Sequence, residues 1–391
     1  MSAETRGTTT GPSPTRPPGP ARALVSTPRP WIAQAVDRAT VAVLAGGRSS
    51  EREISLQTGA GVARALREGS RDERGPAHVA EVEIRADGTW LLEGIARSAL
   101  DAVAALPEDT LFFLALHGGE GENGAVQGFL ELAGRRYTGS GVGASALCMD
   151  KTASRHVLAA TGATVAPGLT VDLRSWSGER SACLERLEAL ASRSRGERLY
   201  VKPNAGGSSV LTFRVQGRDE LAAAVTSVVE SGDAALVEAA VEGVEATCGV
   251  LGNTAGELVA LPPVEIVPHE GRFFDYEEKY RSEGAREHCP PRSLSAATVE
   301  RLGQLAVLAH RTMGCDGYSR TDFIVPRGAD DASEGEGEPV VLEVNTLPGL
   351  TERSLFPQSM QALGASYRAM CLRLLELAVE RSAERGTEDA G

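Results

Sequence analysis

The stretch Val340-Val341-Leu342-Glu343-Val344-Asn345-Thr346-Leu347-Pro348-Gly349 constrains this chain more than any other. Its apolar, β-branched residues predict a short strand, in which side chains two apart share a face. Glu343 and Asn345 therefore point the same way, and that face carries oxygen ligands alone. A carboxylate beside an amide suits a hard cation such as Mg2+, which takes few protein groups and leaves positions for phosphate oxygens. The strand breaks at Pro348-Gly349, where a backbone N–H can lie open to a ligand. Alone, either residue would favour the plainer reading, a polar strand end before a turn. Asp322 changes the balance. It opens a second apolar run, Phe323-Ile324-Val325, and the acidic segment 328–338 joins the two runs as a hairpin, so that three oxygen ligands meet.

Composition narrows the partners. The chain has 391 residues, 42% hydrophobic and 24% charged, enough for two or three domains of an ordinary soluble globular protein. A formal net charge of -13 argues against nucleic acid or an anionic membrane as partner, so any bound phosphate must be held by a local basic pocket. The six cysteines (Cys148, Cys183, Cys248, Cys289, Cys315, Cys371) form no C-x-x-C pair and the six histidines are scattered. Neither zinc nor a disulfide framework is signalled, and a reducing cytoplasm fits best. No apolar run approaches about 18 residues and no signal peptide opens the chain.

Residues 1–37, rich in Thr, Ser, Pro, Gly and Arg, predict a disordered leader. Thr40 to Ala45 then reads as a strand, Gly46-Gly47-Arg48-Ser49 as a glycine turn, and the residues from Ile54 to Leu66 as a helix: a β-α unit of a parallel sheet. Glu51 in that turn repels an anion, so the turn suits an ammonium. The strand Phe112 to Leu116 runs into His117-Gly118-Gly119, a loop of the kind that lines ligand sites in open α/β sheets. For His117 alone, a satisfied loop histidine is the simpler account. Lys151 opens a helix, a place where lysine is usually just solvated. Lys202-Pro203 leads into Asn204-Ala205-Gly206-Gly207-Ser208-Ser209, a lysine before a Gly/Ser loop that can clamp nucleotide phosphates. Ala235 to Glu245 reads as a strand and a hinge whose backbone can pair with an adenine edge. Gly271 to Ser282 holds four aromatics among charges and suggests a lid. A helix from Ala297 stops at Gly314, and another spans Tyr367 to Val379 before a charged tail.

Together these residues resemble the D-alanine-D-alanine ligases of the ATP-grasp superfamily. The resemblance runs from about residue 40 to 380. It rests on Gly46-Gly47 with Ser49 and Glu51-Arg52-Glu53, on Ala115-Leu116-His117-Gly118, Gln127-Gly128, Tyr137-Thr138-Gly139-Ser140-Gly141, Met149-Asp150-Lys151 and Lys202-Pro203. It continues through Gly207-Ser208-Ser209-Val210, Tyr276-Glu277-Glu278-Lys279-Tyr280, Cys289-Pro290, Ser319-Arg320-Thr321-Asp322, Glu343-Val344-Asn345-Thr346-Leu347-Pro348-Gly349 and Ser354-Leu355. The resemblance implies an α/β, ATP-grasp fold of three domains: a parallel-sheet, Rossmann-like one at 38–139, a central one at 140–241 and a C-terminal one at 242–383, with a tail at 384–391. It implies ATP between the last two. Lys151, Lys202 and Lys279 would contact phosphates, Glu238 and Val241 frame the adenine, Glu245 hold the ribose, and Asp322, Glu343 and Asn345 hold two Mg2+ or Mn2+ ions. Glu51 would bind the ammonium of the first D-alanine, Arg320, Ser354 and Leu355 would hold the second, and His117 would be a further substrate-binding residue. Arg320 and the Gly349 N–H would stabilise the oxyanion, while Ser208 and Tyr280 join the central loop to the lid. A cytoplasmic homodimer serving peptidoglycan synthesis is implied as well.

The sequence departs from the family pattern at three places. Asn123 replaces the usual Asp, Leu211 follows Ser-Ser-Val where Gly is usual, and Ala239 takes a place often held by lysine. These leave two alternatives: a D-alanine–D-serine or other D-amino-acid ligase, or a non-catalytic nucleotide-binding paralogue.

Overall fold

Helix α1 (Pro30–Arg38) falls inside the segment expected to be a disordered leader, and corrects that expectation for its last residues. Proline suits the first turn of a helix, where its missing N–H is not needed. Ile32 and Val36, one turn apart, are fully buried, and they pack toward the last helix of the chain. The crowd of prolines before residue 30 hides this short apolar pair. The computed structural model describes residues 29–68, 74–207, 211–268, 286–327 and 335–388. Ser208, Lys279 and Tyr280 lie outside the described residues, as do the expected lid and the acidic connection at 328–334.

The first sheet holds β1 (Thr40–Gly46), β2 (His78–Ile84), β3 (Trp90–Leu92), β4 (Ile95–Arg97), β5 (Leu111–Leu114) and β6 (Arg136–Tyr137) in the order β4-β3-β2-β1-β5-β6. Strands β1, β2, β5 and β6 run parallel, as the β-α reading requires, with β3 and β4 added antiparallel. Helices α2 (Arg52–Arg67), α3 (Ala99–Ala104) and α4 (Ala125–Leu132) connect them. At the end of β1, Gly46 has φ +93° and a Cβ there would lie 2.3 Å from the Ile84 carbonyl oxygen, so only glycine makes this turn.

The central part opens with α5 (Val142–Met149) and α6 (Lys151–Ala160). Then come β7 (Gly168–Val171), α7 (Leu173–Gly178), α8 (Arg180–Ala191), β8 (Arg198–Pro203), β9 (Phe213–Gln216), α9 (Arg218–Glu230) and β10 (Ala235–Ala239). The four strands form an antiparallel sheet in the order β7-β10-β8-β9. Period-two alternation sends Leu199, Val201, Val237 and Ala239 into the helix-covered core and leaves Lys202 and Glu238 on the other face.

The third sheet comprises β11 (Gly243–Leu251), β12 (Val259–Ala260), β13 (Val264–Val267), β14 (Arg286–His288), β15 (Tyr318–Pro326) and β16 (Val340–Asn345). Its order is β14-β13-β11-β15-β16, with β12 paired to β11. Helices α10 (Ala296–Thr312), α11 (Leu355–Ala362) and α12 (Tyr367–Glu388) complete the chain. The expected hairpin is present as β15 and β16, and its ladder carries an irregularity. Asp322 opposes Glu343, but Phe323 opposes Val341, which makes Leu342 the extra residue. Such a bulge reverses the alternation, so Val341 and Val344, three apart, are both buried in the core under α10. Helix α12 runs to Glu388, beyond the expected end at 379; the buried Arg381, whose guanidinium donates to the Tyr137 and Gly139 carbonyls, anchors it past Val379. Among the described residues no helix is long and apolar enough to cross a membrane.

Two measurements test this packing. Ile32→Ala should cost about 2–4 kcal/mol in urea unfolding, the range for emptying a core position, whereas Trp31→Ala, at a residue 48% exposed, should stay within about 0.5 kcal/mol. His310 on α10 is fully buried with its Nδ1 2.7 Å from the Ser319 hydroxyl, and burial pulls its pKa down to about 4. The unfolded chain then binds this proton at a higher pH than the folded one does. Stability from the neutral imidazole is complete above the unfolded value near 6.5 and is lost as pH falls toward 4, by roughly 3 kcal/mol at most. His310→Gln should flatten that part of the pH–melting profile.

Candidate active site

Helix α2 is pinned at its start by Ser55, whose hydroxyl donates to the Ala115 carbonyl (2.6 Å) and accepts from the Gly46 N–H (2.8 Å). That fixes Glu51, the residue before the helix, which is buried beside two glycines from different sheets. A Cβ on Gly118 would stand 2.6 Å from the Glu51 Oε2, and one on Gly207 would stand 2.7 Å from it. The carboxylate thus fills the space between the loop after β5 and the loop after β8. His117 is buried as well. Its Nε2 lies 3.1 Å from the Thr58 hydroxyl and its Nδ1 3.2 Å from the Leu347 carbonyl, so it ties α2 to the turn after β16.

Lys151 is not solvated, contrary to the ordinary expectation for a helix start. It is 8% exposed, and its ammonium donates to the Gly206 carbonyl (2.5 Å) and lies 3.4 Å from the Glu343 carboxylate. Asn204 explains the placement. Its side-chain oxygen accepts from the Thr152 N–H (2.8 Å), its side-chain amide donates to Asp150 (2.9 Å), and its carbonyl accepts from the Lys151 N–H (3.1 Å). Asp150 itself caps α6 through the Ala153 N–H. The loop that follows Lys202 is therefore fastened to the helix that carries Lys151, and two lysines distant in sequence share one cleft.

On the hairpin, Asp322 opposes Glu343 and Arg320 opposes Asn345, placing all four on one face. Arg320 donates to Asp322 in bidentate fashion, through Nε and Nη2 at 2.8 Å each, and the Thr247 hydroxyl adds a bond of 2.6 Å. The Asn345 side-chain oxygen accepts from the Leu347 N–H at 2.8 Å and shapes the turn into Pro348-Gly349. Two carboxylates and an amide oxygen, with no nitrogen or sulfur donor among them, fit a hard divalent cation that keeps other positions for phosphate oxygens. Elsewhere, too, no three His, Cys, Asp or Glu side chains gather to hold a metal among the described residues.

Ser354 precedes α11 with its hydroxyl 2.7 Å from that of Thr351, and it stands over Gly349, where a Cβ would come within 3.0 Å of it. Leu355 packs with Val264 and Ile266. Glu238 on β10 is 4% exposed and meets two cations, Lys202 at 2.6 Å and Arg155 at 3.2 Å. Glu245 on β11 lies within electrostatic reach of Tyr200, and Val241 sits in the break between β10 and β11. Of the expected site residues within the described chain, Glu51, Lys151, Glu343, Asp322 and Arg320 form one connected set, bridged by Gly206-Gly207. His117, Gly349 and Ser354 border it through the turn after β16, and Lys202 with Glu238 makes a second cluster on the central sheet.

Sequence reasoning missed Arg155 and Glu287. Arg155 lies one helical turn after Lys151, and that spacing, which puts both on one face of α6, was the available signal. Glu287 on β14 accepts from the Gln358 side-chain amide of α11; burial pushes its carboxyl up, opposed by that amide and by the charge of Arg320. No local pattern marks it.

A family model described as the D-ala D-ala ligase C-terminus matches residues 157–376. A D-alanine–D-alanine ligase of Leptospira interrogans serogroup Icterohaemorrhagiae serovar Lai (strain 56601) is 36% identical over 371 residues, covering 88% of this chain and 99% of that protein. Among solved structures, the VanG D-Ala:D-Ser ligase from Enterococcus faecalis matches with a TM-score of 0.70 at 28% identity, over 87% of this chain and 99% of the other. The D-alanine–D-alanine ligase from Bacillus anthracis complexed with ATP gives 0.66 at 27% identity, over 89% and 99%.

Leu211, at the position where glycine is usual, has φ +56°. That left-handed conformation costs an L side chain about 1–2 kcal/mol, while glycine adopts it freely. Leu211→Gly should therefore leave the unfolding free energy measured in urea unchanged or raise it by up to about 1 kcal/mol, the relief being offset by the freedom glycine adds to the unfolded chain. Leu211→Val, branched at Cβ, should lower it. A clear loss of stability in the glycine variant would contradict the strain.

Proposed function

Given that the chain belongs to the D-alanine–D-alanine ligase family, we propose that it joins two D-alanine molecules with consumption of ATP, through an acyl phosphate, for peptidoglycan precursor synthesis. The observation that carries this reading is the connected polar set from Glu51 through Gly207, Gly206 and Lys151 to Glu343 and Asp322, to which three sheets contribute. It provides an ammonium-binding carboxylate, phosphate-binding lysines and hard-cation ligands around one cleft.

In this reading Glu51 holds the ammonium of the first D-alanine, with His117 beside it, and the carboxylate of that substrate attacks the γ-phosphorus of ATP. Lys151, Lys202 and Lys279 hold the phosphates, Glu238 and Val241 frame the adenine, and Glu245 holds the ribose. Asp322, Glu343 and Asn345 would hold two Mg2+ or Mn2+ ions, which neutralise triphosphate charge when bound. Arg320 and Ser354-Leu355 hold the carboxylate of the second D-alanine, whose free amine attacks the acyl carbonyl and expels phosphate. The Gly349 N–H and Arg320 face the oxyanion, a contribution of about 10^2 to 10^3 in rate per donor. By the family resemblance Ser208 and Tyr280, outside the described residues, would join the central loop to the lid, and exclusion of water would protect the acyl phosphate. We further assign domains at 38–139, 140–241 and 242–383, a homodimer built largely on the first of these, and a cytoplasmic location.

Purified protein given ATP, Mg2+ and D-alanine should release phosphate and dipeptide; ADP without dipeptide would overturn the reading, and nucleotide binding with no D-alanine-dependent ATP turnover would mark a non-catalytic paralogue. The similarity to a D-Ala:D-Ser ligase makes D-serine the acceptor to compete against D-alanine, with the products resolved by mass. Glu343→Gln should cut turnover by about two orders of magnitude, the scale of losing one electrostatic stabiliser, with the fold intact by circular dichroism. An unaltered Mg2+ dependence in that variant would move the metal elsewhere.

A further inference from the structure

Lys202, the lysine assigned above to the phosphates, has its ammonium 2.6 Å from the Glu238 Oε2. To reach a phosphate it must give up this partner, and Glu238, 4% exposed, has little water to replace it. A buried carboxylate stripped of its cation is left with uncompensated charge, and that cost would be subtracted from nucleotide affinity. The second cation at Glu238 is Arg155, with Nε 3.2 Å from Oε1, and it too is buried. Neither Arg155 Nε nor Glu238 Oε1 has a hydrogen-bond partner among the described residues, so charge alone joins these atoms. The guanidinium is otherwise anchored, since Nη2 donates to the Ala166 carbonyl.

The fold makes room for this arginine. Gly168 on β7 lies directly opposite Glu238 in the β7–β10 ladder, and a Cβ there would stand 2.6 Å from Arg155 Nη1. Any larger residue at 168 would close the path by which Arg155 reaches the carboxylate. Lysine at 155 would bring charge without the second anchor, because only the guanidinium presents separate donors to Ala166 and to Glu238.

We propose that Arg155 is a positioning residue of the nucleotide subsite: it holds the Glu238 carboxylate in place when Lys202 leaves it for the phosphates of ATP. The inference rests on the assignment of Lys202 and Glu238 to that subsite. It is tested by a double-mutant cycle, with Arg155→Met and Glu238→Gln singly and together, and with Arg155→Lys as the conservative control. Affinity for a non-hydrolysable ATP analogue is measured by calorimetry in Mg2+, alongside KM for ATP and for D-alanine and the melting temperature of each variant.

Arg155→Met should weaken analogue binding by about ten-fold or more, raise KM for ATP in step and leave KM for D-alanine alone. In the Glu238→Gln background the same substitution should have an effect of less than about three-fold, because a neutral amide needs no counter-ion. Arg155→Lys should recover most of the affinity. Equal losses in both backgrounds, or a loss of binding that follows melting temperature instead of Glu238, would overturn the proposal. Should Arg155→Met fail to fold, Arg155→Gln, which keeps a polar side chain but removes the charge, gives the same comparison in the two backgrounds, with no coupling to Glu238 counting against the proposal. Failure of the unaltered protein to bind the analogue would instead remove the nucleotide reading on which the inference stands.

Discussion

The ammonium of Lys151 is the constraint on which the cleft depends. A cation with so little exposure must find oxygen within a few ångströms, and it does so in two directions: the Gly206 carbonyl on the central loop and the Glu343 carboxylate on the hairpin. Satisfying Lys151 therefore fixes the loop against the hairpin, and the loop in turn brings Gly207 onto Glu51. Buried ion pairs seldom stabilise a fold in net terms, since desolvation consumes most of their attraction. A run of them from the central sheet to the hairpin would instead suit a polyanionic ligand, with cations already in place beside carboxylates that fit a hard metal.

Strand periodicity supplied most of what the sequence disclosed. Glu343, Asn345 and Asp322 were readable because a period of two assigns them a face, and the acidic connection between their strands suggested a hairpin. Lys202 and Glu238 belong to the same kind of pattern, with apolar neighbours on either side in the central core. That pattern also changes the weight of one departure from the family. Ala239 lies among the buried residues of the helix-covered core, on the opposite face from Glu238, so its small side chain is part of the packing there. The bulge at Leu342 was not legible, because Val340 to Val344 looks like an unbroken apolar run until a partner strand shows which residue is in excess.

Contacts between distant segments account for the rest. Nothing local to Lys151 announces Glu343, and the apparent ordinariness of a lysine at a helix start is misleading when the helix is capped by a loop from another strand. Arg155 was within reach of helical spacing, but a charged residue on a helix is exposed so often that spacing alone does not single it out. Helix α1 lay concealed in a proline-rich stretch because two buried side chains one turn apart are too weak a pattern without the surface they cover.

That surface is provided by the end of the chain. The core of the first sheet is continuous with Met370, Cys371, Leu374 and Leu375 of α12 and with Leu347, Leu350 and Phe356 of the segment after β16. Arg381 strengthens the union by donating to the Tyr137 and Gly139 carbonyls while its guanidinium lies over the Tyr137 ring, 4.4 Å from the centroid. The first and third sheets are thereby joined through apolar packing, and Glu51 and His117 are held at fixed positions relative to the turn at Leu347-Pro348-Gly349. The central sheet differs, since its helices close a core of its own, and α6 and the Thr164–Val165 segment lead from the hairpin to β7. Apolar burial resists shear through close packing, while ion pairs and hydrogen bonds can exchange partners at lower cost when a charged ligand arrives. The division of the molecule into an apolar union and a polar seam thus puts the adaptable contacts, Lys151 with Glu343 and Lys202 with Glu238, where phosphates would enter.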